Sequence, residues 1–306
     1  MTHTESPGTT VEADAALERA RNSFAAVFGN GRLSLDQLRH NLDAMMLESD
    51  LAEDVSVDAI VVSGVEALRV VAGSAVDDNV LVWFHGGGYV MGSPHGYRHA
   101  AAALSRALGS VVVLPDYRLA PEHPFPAALE DAAAVVDALI AEYGSERTIV
   151  GGDSAGGGLT VSVLVDIRNR GATLPAAAVA VSPLADFTAS GASVTTNRDI
   201  DLVITERSIG MLAAAYLRGH DRDHPLASPV FADLTGLPPI LLLASDSEIL
   251  LDDAVRIHNS VRVAGGVSTL SVYPNTCHAW TLFTEFLPQA RNGVDEIARF
   301  AGKVLP

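Results

Sequence analysis

Short apolar runs alternate along most of the chain with longer segments in which apolar residues recur at helical spacing. Continuous apolar runs are typical of strands buried on both faces, and their alternation with helices favours parallel strands joined by crossovers. The pattern therefore predicts an α/β fold with a mostly parallel central sheet flanked by helices. The predicted strands cover residues 55–62 and 67–72, expected to form an antiparallel pair, and 80–84, 111–114, 148–150, 176–181, 240–244 and 268–273.

Amphipathic segments lie before, between and after these strands. Two of them precede the first strand, and Ser34 with Gln37 forms the signature of a capping box at the start of the second. The first ten residues are polar, and we expect them to lack regular structure. Residues 188–223 interrupt the alternation of strands and helices. The predicted helices cover residues 13–28, 34–47, 95–108, 127–143, 159–167, 204–217, 252–264 and 289–300.

Glycine-rich turns follow two of the predicted strands: HGGG at residues 85–88 and GDSAG at residues 152–156. In a G-x-S-x-G turn the serine occupies a strained strand-to-helix elbow, where Gly152 and Gly156 leave room for neighbouring backbone. The N–H groups of a second glycine turn can hold the oxyanion that forms when the serine attacks an acyl group. The two turns therefore predict acyl-transfer chemistry with Ser154 as the nucleophile.

Four segments carry a family resemblance: HGGGYVMGS at 85–93, DYRLAPEHPFPAALED at 116–131, GGDSAGG at 151–157 and SPLADF at 182–187. Together they resemble the bacterial hormone-sensitive-lipase-like esterases. The resemblance implies an α/β-hydrolase fold, a Ser-His-acid triad, a helical cap over the pocket and hydrolysis of short to medium-chain acyl esters.

The resemblance also implies how the chain is organised. Residues 1–50 would form N-terminal cap helices, and residues 51–306 would form the catalytic domain, with a second cap segment near 188–223. Carried over residue by residue, the family pattern places the oxyanion donors at the backbone N–H groups of three residues, which are Gly87, Gly88 and Ala155.

His278 is the candidate base among ten histidines. It follows the last predicted strand, so its loop falls at the same edge of the sheet as Ser154. The family has a His-x-Phe segment at this place, and His278-Ala279-Trp280 keeps an aromatic residue there. His85 precedes the oxyanion glycines, and we expect it to hold that turn by hydrogen bonds.

The acid is the point at which this chain departs from the family. The family has Asp-Pro-Leu-x-Asp-Glu after the penultimate strand, whereas this chain has SDSEILLDD at residues 245–253. Matching Asp252-Asp253 to the trailing Asp-Glu places Glu248 at the catalytic position, with one extra methylene. Asp246 is closer to the end of the strand, and it is the alternative acid if the loop is shorter than this alignment implies.

Composition narrows the class of protein. With 306 residues, 48% of them hydrophobic, the chain can bury one large core. Its net charge of −17 disfavours nucleic acid and anionic membranes as partners. Cys277 is the only cysteine, so no internal disulfide forms.

Because the sequence lacks a signal-peptide pattern and an apolar stretch of membrane-spanning length, we expect a cytoplasmic protein. Its partner would be a small-molecule ester, and a homodimer is possible.

Other function classes compete with ester hydrolysis. A lactonase, amidase or deacetylase would use the same triad, since acyl-enzyme chemistry does not depend on whether oxygen or nitrogen leaves. A non-hydrolytic, ligand-binding member of the fold is disfavoured because Ser154 and His278 are both present. A metallohydrolase is disfavoured because the sequence has no H-E-x-x-H motif. No metal and no organic cofactor is implied.

Overall fold

A computed structural model describes residues 7–29, 33–47 and 50–306 of the chain. Its strands are β1 (Val55–Val62), β2 (Val65–Ala72), β3 (Val76–Phe84), β4 (Ser110–Pro115), β5 (Thr148–Asp153), β6 (Ala177–Val181), β7 (Ile240–Ser245) and β8 (Ser268–Tyr273). Its α-helices are α1 (Pro7–Phe28), α2 (Leu35–Met46), α3 (Arg98–Leu108), α4 (Ala127–Tyr143), α5 (Ala155–Asn169), α6 (Ser193–Thr196), α7 (Glu206–Leu217), α8 (Leu251–Val263) and α9 (Pro288–Ala301).

The strands of the described residues form one sheet of eight, in the order β1-β2-β4-β3-β5-β6-β7-β8. β1 pairs antiparallel with β2, and β2 pairs antiparallel with β4. Every other neighbouring pair is parallel. The prediction of an α/β fold with a mostly parallel sheet is therefore confirmed, and so is the antiparallel pairing of the first two strands. The second antiparallel pairing, between β2 and β4, goes beyond that prediction.

Helices cover both faces of this sheet. In β3, Val80, Val82 and Phe84 pack in one core, together with residues of α4, α5 and α8. Leu81 and Trp83 point the other way into a second core, together with residues of α3 and α9. A strand buried on both faces has no polar side to present, which explains its continuous apolar run.

The N-terminal helices differ in part from the prediction. The capping box is present: Gln37 N–H donates to Ser34 Oγ at 3.2 Å, and Ser34 N–H donates to Gln37 Oε1 at 2.9 Å. The expectation that the first ten residues lack regular structure is wrong for residues 7–10, because α1 begins at Pro7. Proline is tolerated in the first turn of a helix, where its missing N–H would have no partner. For residues 1–6, that expectation lies outside the described residues.

Parallel strands direct four connecting loops to one edge of the sheet. The segments after β3, β5, β7 and β8 begin at the carboxyl ends of their strands. Binding sites of open α/β sheets form at this edge. The glycine turns, the acidic loop and the histidine loop that the sequence singled out all lie in these segments.

Candidate active site

Ser154 connects β5 directly to α5 in a strained conformation. Its φ of 55° and ψ of −121° lie in a region that non-glycine residues rarely occupy. Such a conformation costs on the order of 1–3 kcal/mol and persists only where the surroundings hold it. Ser154 N–H donates to the carbonyl of Val181 at 2.8 Å, and its own carbonyl accepts from Gly158 and Leu184 at 3.0 and 2.9 Å. These backbone bonds hold the hydroxyl in place.

Two glycines let this elbow approach the end of β3. A Cβ atom on Gly152 would lie 2.5 Å from the carbonyl oxygen of Phe84, and a Cβ atom on Gly156 would collide with the same oxygen. Backbone therefore packs directly on backbone. As a result, the 85–88 turn, which begins where β3 ends, lies beside Ser154.

Ser154, His278 and Glu248 form one hydrogen-bonded chain. His278 Nε2 lies 2.8 Å from Ser154 Oγ, and His278 Nδ1 lies 2.8 Å from Glu248 Oε2. The exposed fractions are 7% for Ser154, 3% for His278 and 0% for Glu248. Because a carboxylate can only accept, Nδ1 carries the proton and Nε2 is left to accept from the serine hydroxyl.

Segment 245–253 contains four acidic residues, all within the described part of the chain. Of these, only Glu248 forms a hydrogen bond with His278. Its second oxygen accepts from Ser245 N–H at 2.7 Å. Asp246 is exposed, and its carboxylate accepts from Ser247 Oγ. Two further carboxylates in the first turn of α8 accept from backbone N–H groups distant in the sequence: Asp252 from Ser193, at the start of α6, and Asp253 from Ala185.

A buried polar network holds the start of the glycine turn. Gly86 N–H donates to Tyr97 Oη at 2.8 Å, and Tyr97 Oη donates to Asp153 Oδ2 at 2.8 Å. The other oxygen of Asp153 accepts from Trp83 Nε1 at 3.1 Å. Burial raises the pKa of Asp153 to about 6, although the hydrogen bonds from Tyr97 and Trp83 act to lower it. Asp153 is therefore an anchor for the turn, and Gly86 N–H is already occupied.

The predicted oxyanion donors have open N–H groups. Gly87 and Gly88 have φ values of 112° and 66°, which favour glycine. Within the described residues, no protein acceptor takes the N–H of Gly87, Gly88 or Ala155. His85 Nδ1 lies 2.7 Å from the carbonyl of Gly86, and burial lowers the pKa of His85 to about 4, so the neutral ring donates there and supports the turn.

Opposing effects act on the pKa of His278. Burial lowers it, but the hydrogen bond and charge of Glu248, together with the charges of Asp201 and Asp153, outweigh burial and hold it above its ordinary value. The thiol of the neighbouring Cys277 does not titrate near neutral pH, because burial raises its pKa to about 12. Of the two side chains, only His278 can exchange a proton near neutral pH.

Sequence reasoning missed several residues that support this site. Ser182 Oγ, after β6, accepts from Ala279 N–H at 3.1 Å and so holds the histidine loop. Asn197 and Asp201 contact the loop that carries Glu248. Tyr97 lies before α3, within a segment predicted to be helical. The segment SPLADF contains Ser182, but for the other three no motif in the sequence gives a signal.

Comparison with known proteins identifies the family. Residues 81–282 match the sequence pattern of a protein family described as having the alpha/beta hydrolase fold. An acetyl-hydrolase of Streptomyces hygroscopicus is 41% identical over 226 residues, which cover 73% of this chain and 75% of that protein. The crystal structure of an esterase from the bacterial hormone-sensitive lipase family has a TM-score of 0.93 and 38% identity, covering 95% of this chain and 99% of that one.

A further solved structure is similar. EstE5 soaked with p-nitrophenyl butyrate has a TM-score of 0.88 and 35% identity, and covers 94% of this chain and 98% of that chain. The chain belongs to the α/β-hydrolase family, and within it to the bacterial hormone-sensitive-lipase-like esterases. The fold class and the family predicted from the sequence are confirmed, and esterase is the class of enzyme.

The described residues contain neither a membrane-spanning helix nor a metal-binding cluster. None of the helices there is long and apolar enough to cross a bilayer. In the same residues, no group of three or more histidine, cysteine, aspartate or glutamate side chains is arranged to hold a metal ion.

The raised pKa of His278 predicts the pH dependence of turnover. A protonated imidazole cannot accept the serine proton, so kcat/KM should fall about tenfold per pH unit on the acid side, with its midpoint above the ordinary histidine value of about 6.5. Initial rates measured from about pH 5 to about pH 9 would show this fall, which is the acid limb of the pH profile. A profile that peaks below about pH 5 would instead indicate a carboxylate base.

Proposed function

We propose that this enzyme hydrolyses carboxylic esters with short to medium acyl chains, through a Ser154-His278-Glu248 triad and a covalent acyl-enzyme. The unbroken hydrogen-bonded chain from Ser154 Oγ to Glu248 Oε2 is the observation that carries this proposal. The naming of relatives as acetyl-hydrolase and esterase supports the same class of substrate. A small-molecule ester is thus the proposed partner, while the homodimer and the cytoplasmic location stay predictions.

Acylation begins at the serine. Ser154 Oγ attacks the ester carbonyl while His278 Nε2 takes the hydroxyl proton. Glu248, which accepts from Nδ1, stabilises the imidazolium that forms. His278 then gives the proton to the departing alcohol. A water molecule that loses its proton to the same nitrogen cleaves the acyl-enzyme and restores the serine.

The negative charge of the tetrahedral intermediate needs donors that are already in place. The N–H groups of Gly87, Gly88 and Ala155 are proposed for this role, because none of them has a protein acceptor within the described residues. Ala155 is also the first residue of α5, so the positive end of a helix dipole favours the same charge. Gly86 is excluded because its N–H is bonded to Tyr97.

The N-terminal helices are proposed as the first part of a cap, within residues 1–50. Arg39 of α2 donates from Nε to the carbonyl of Val90 at 2.8 Å, and from Nη2 to the carbonyl of Ala120 at 3.1 Å. It also forms a two-pronged ion pair with Glu122 at 2.7 and 2.8 Å. Through these bonds α2 is attached both to the segment that continues the oxyanion turn and to the segment between β4 and α4.

The second part of the proposed cap is residues 188–223, which include α7. Leu212 of this helix packs against Gly88, so closely that a Cβ atom on Gly88 would collide with it. Tyr216 stacks on Tyr89 with ring centroids 3.9 Å apart. Leu212 thus packs beside the proposed oxyanion donors. This contact supports a pocket closed by cap helices, from which, together with the family resemblance, we expect a preference for acyl chains below about ten carbons.

The nucleophile can be tested with p-nitrophenyl butyrate. Ser154→Ala should lower kcat by on the order of 10⁴ to 10⁶, because the acyl-enzyme can no longer form. Ser162→Ala is a matched control, since Ser162 lies on the helix that follows Ser154 and its buried hydroxyl has no partner in the described structure. That control should keep its kcat within about twofold of the parent.

Two results would contradict this proposal. One is a Ser154→Ala enzyme that retains the parent kcat while circular dichroism shows the same fold. The other is turnover that a chelator abolishes, which would indicate a metallohydrolase. A series of p-nitrophenyl esters from acetate to palmitate, with lactones and amides alongside, would define which acyl compounds are hydrolysed.

The triad acid can be tested by comparing two residues of one loop. Glu248→Gln should lower kcat by roughly 10² to 10⁴, because the charge that orients His278 and stabilises its imidazolium is lost. Asp246→Asn should lower kcat by less than about tenfold, because this carboxylate is exposed and does not reach the histidine. The reverse order would make Asp246 the acid, and two mild effects would mean that the acid is another residue.

A further inference from the structure

Asn197 reaches from the second cap segment to the backbone of the acid loop. It follows α6, and its side chain is buried, with 8% of the residue exposed. Its Nδ2 group donates to the carbonyl of Asp246 at 2.9 Å and to the carbonyl of Glu248 at 2.8 Å. One amide therefore binds two carbonyls of the loop that presents the proposed triad acid.

Asp201 holds the other side of the same loop. One carboxylate oxygen accepts from Ile249 N–H at 2.9 Å, and the other accepts from Val203 and Ile204 N–H at 2.9 and 3.0 Å. The residue is 7% exposed, so these bonds satisfy a charge that is largely removed from water. Asp201 N–H also donates to the carbonyl of Asn197 at 2.9 Å, which joins the two residues into one unit.

The position of the Glu248 carboxylate depends on the backbone of the loop that carries it. Glu248 lies between the end of β7 and the start of α8. Its side chain is fixed at the carboxylate by Ser245 N–H and by His278. Asn197 and Asp201 add to two other bonds of this loop, from Ser193 Oγ to the Ile249 carbonyl and from Asp246 N–H to the Tyr273 carbonyl. Accurate placement matters because a shift of about 1 Å at a reacting group can cost a factor of about 100 in rate.

Asp201 also acts on the histidine through its charge. The acidic groups that act on His278 are Glu248 from the acid loop, Asp201 from the cap segment and Asp153 from the elbow, and each raises the pKa of His278. Arg21 of α1 is a positive charge that acts on the adjacent Cys277. Asp201 is thus the one of these acidic groups that belongs to the proposed cap.

We propose that Asn197 and Asp201 are positioning residues for the triad acid, and that Asp201, whose buried carboxylate binds the N–H of the residue next to Glu248, also places a second negative charge beside the triad. The cap segment is then part of the catalytic support as well as a cover for the pocket. This inference rests on the proposed Ser154-His278-Glu248 triad.

Two substitutions separate the geometric effect from the charge effect. Asp201→Asn should lower kcat by on the order of 10-fold to 100-fold and move the acid limb of kcat/KM to lower pH, because both a loop contact and a negative charge are lost. Asn197→Ala should lower kcat by about 10-fold or more and leave the acid limb unchanged, because it removes no charge. Neither should change KM by more than about twofold, since neither residue is expected to touch substrate.

Two further variants serve as controls. Asp199→Asn removes the same charge from an exposed position two residues away, and it should keep both kcat and the acid limb of the parent. Asp201→Glu retains the charge and should keep the acid limb of the parent even if kcat is reduced. If Asp201→Asn does not fold, as judged by thermal unfolding, Asn197→Ala and Asp201→Glu still decide the question.

The outcomes distinguish this inference from the triad on which it rests. Parent values of kcat and of the acid limb in both Asp201→Asn and Asn197→Ala, with Glu248→Gln still impaired, would overturn the positioning role alone. An acid limb that moves equally in Asp199→Asn and Asp201→Asn would overturn the charge effect. A Glu248→Gln enzyme with parent activity would reject the triad itself.

Discussion

The direct contact between the Ser154 elbow and the end of β3 is the constraint on which the site depends. Gly152 and Gly156 approach the carbonyl of Phe84 so closely that a side chain on either would push the two segments apart. This contact holds a strained serine at the carboxyl edge of the sheet and sets the 85–88 turn beside it. A strained backbone conformation of this kind persists only because the surrounding packing holds the residue in it. A methyl group at Gly156 would therefore disturb the proposed nucleophile and the proposed oxyanion donors together.

Local pattern was sufficient to predict the central sheet and part of the site. Strands buried on both faces leave continuous apolar runs, and glycines that permit close contact leave a recognisable motif, so β3, β5 and Ser154 could be inferred directly. His278 followed from its position after the last strand. Glu248 needed an alignment to a family pattern that this chain does not keep. Asn197, Asp201 and Tyr97 could not be inferred, because their partners lie far away in the sequence and a polar residue in a loop resembles a surface residue.

The environment of His278 balances two opposing demands. In the proposed mechanism, the resting enzyme needs a neutral imidazole to accept a proton, whereas the transition state needs a stable imidazolium. Burial favours the neutral form, and the carboxylates of Glu248, Asp201 and Asp153 favour the charged form. Together these effects hold the pKa of His278 above its ordinary value. Hydrogen bonds from backbone N–H groups satisfy the carboxylates of Glu248 and Asp201. In the proposed mechanism, the groups that stabilise the imidazolium are therefore in place before the reaction begins.

The central claim is that Ser154 is an activated nucleophile, and covalent labelling tests it most directly. Diethyl p-nitrophenyl phosphate should transfer one diethylphosphoryl group to Ser154 Oγ, release one p-nitrophenolate and abolish ester hydrolysis. Intact-mass analysis followed by peptide mapping should find a single adduct per chain, on the peptide that contains Ser154. An adduct on a different residue, or complete loss of activity with Ser154 unmodified, would contradict the account.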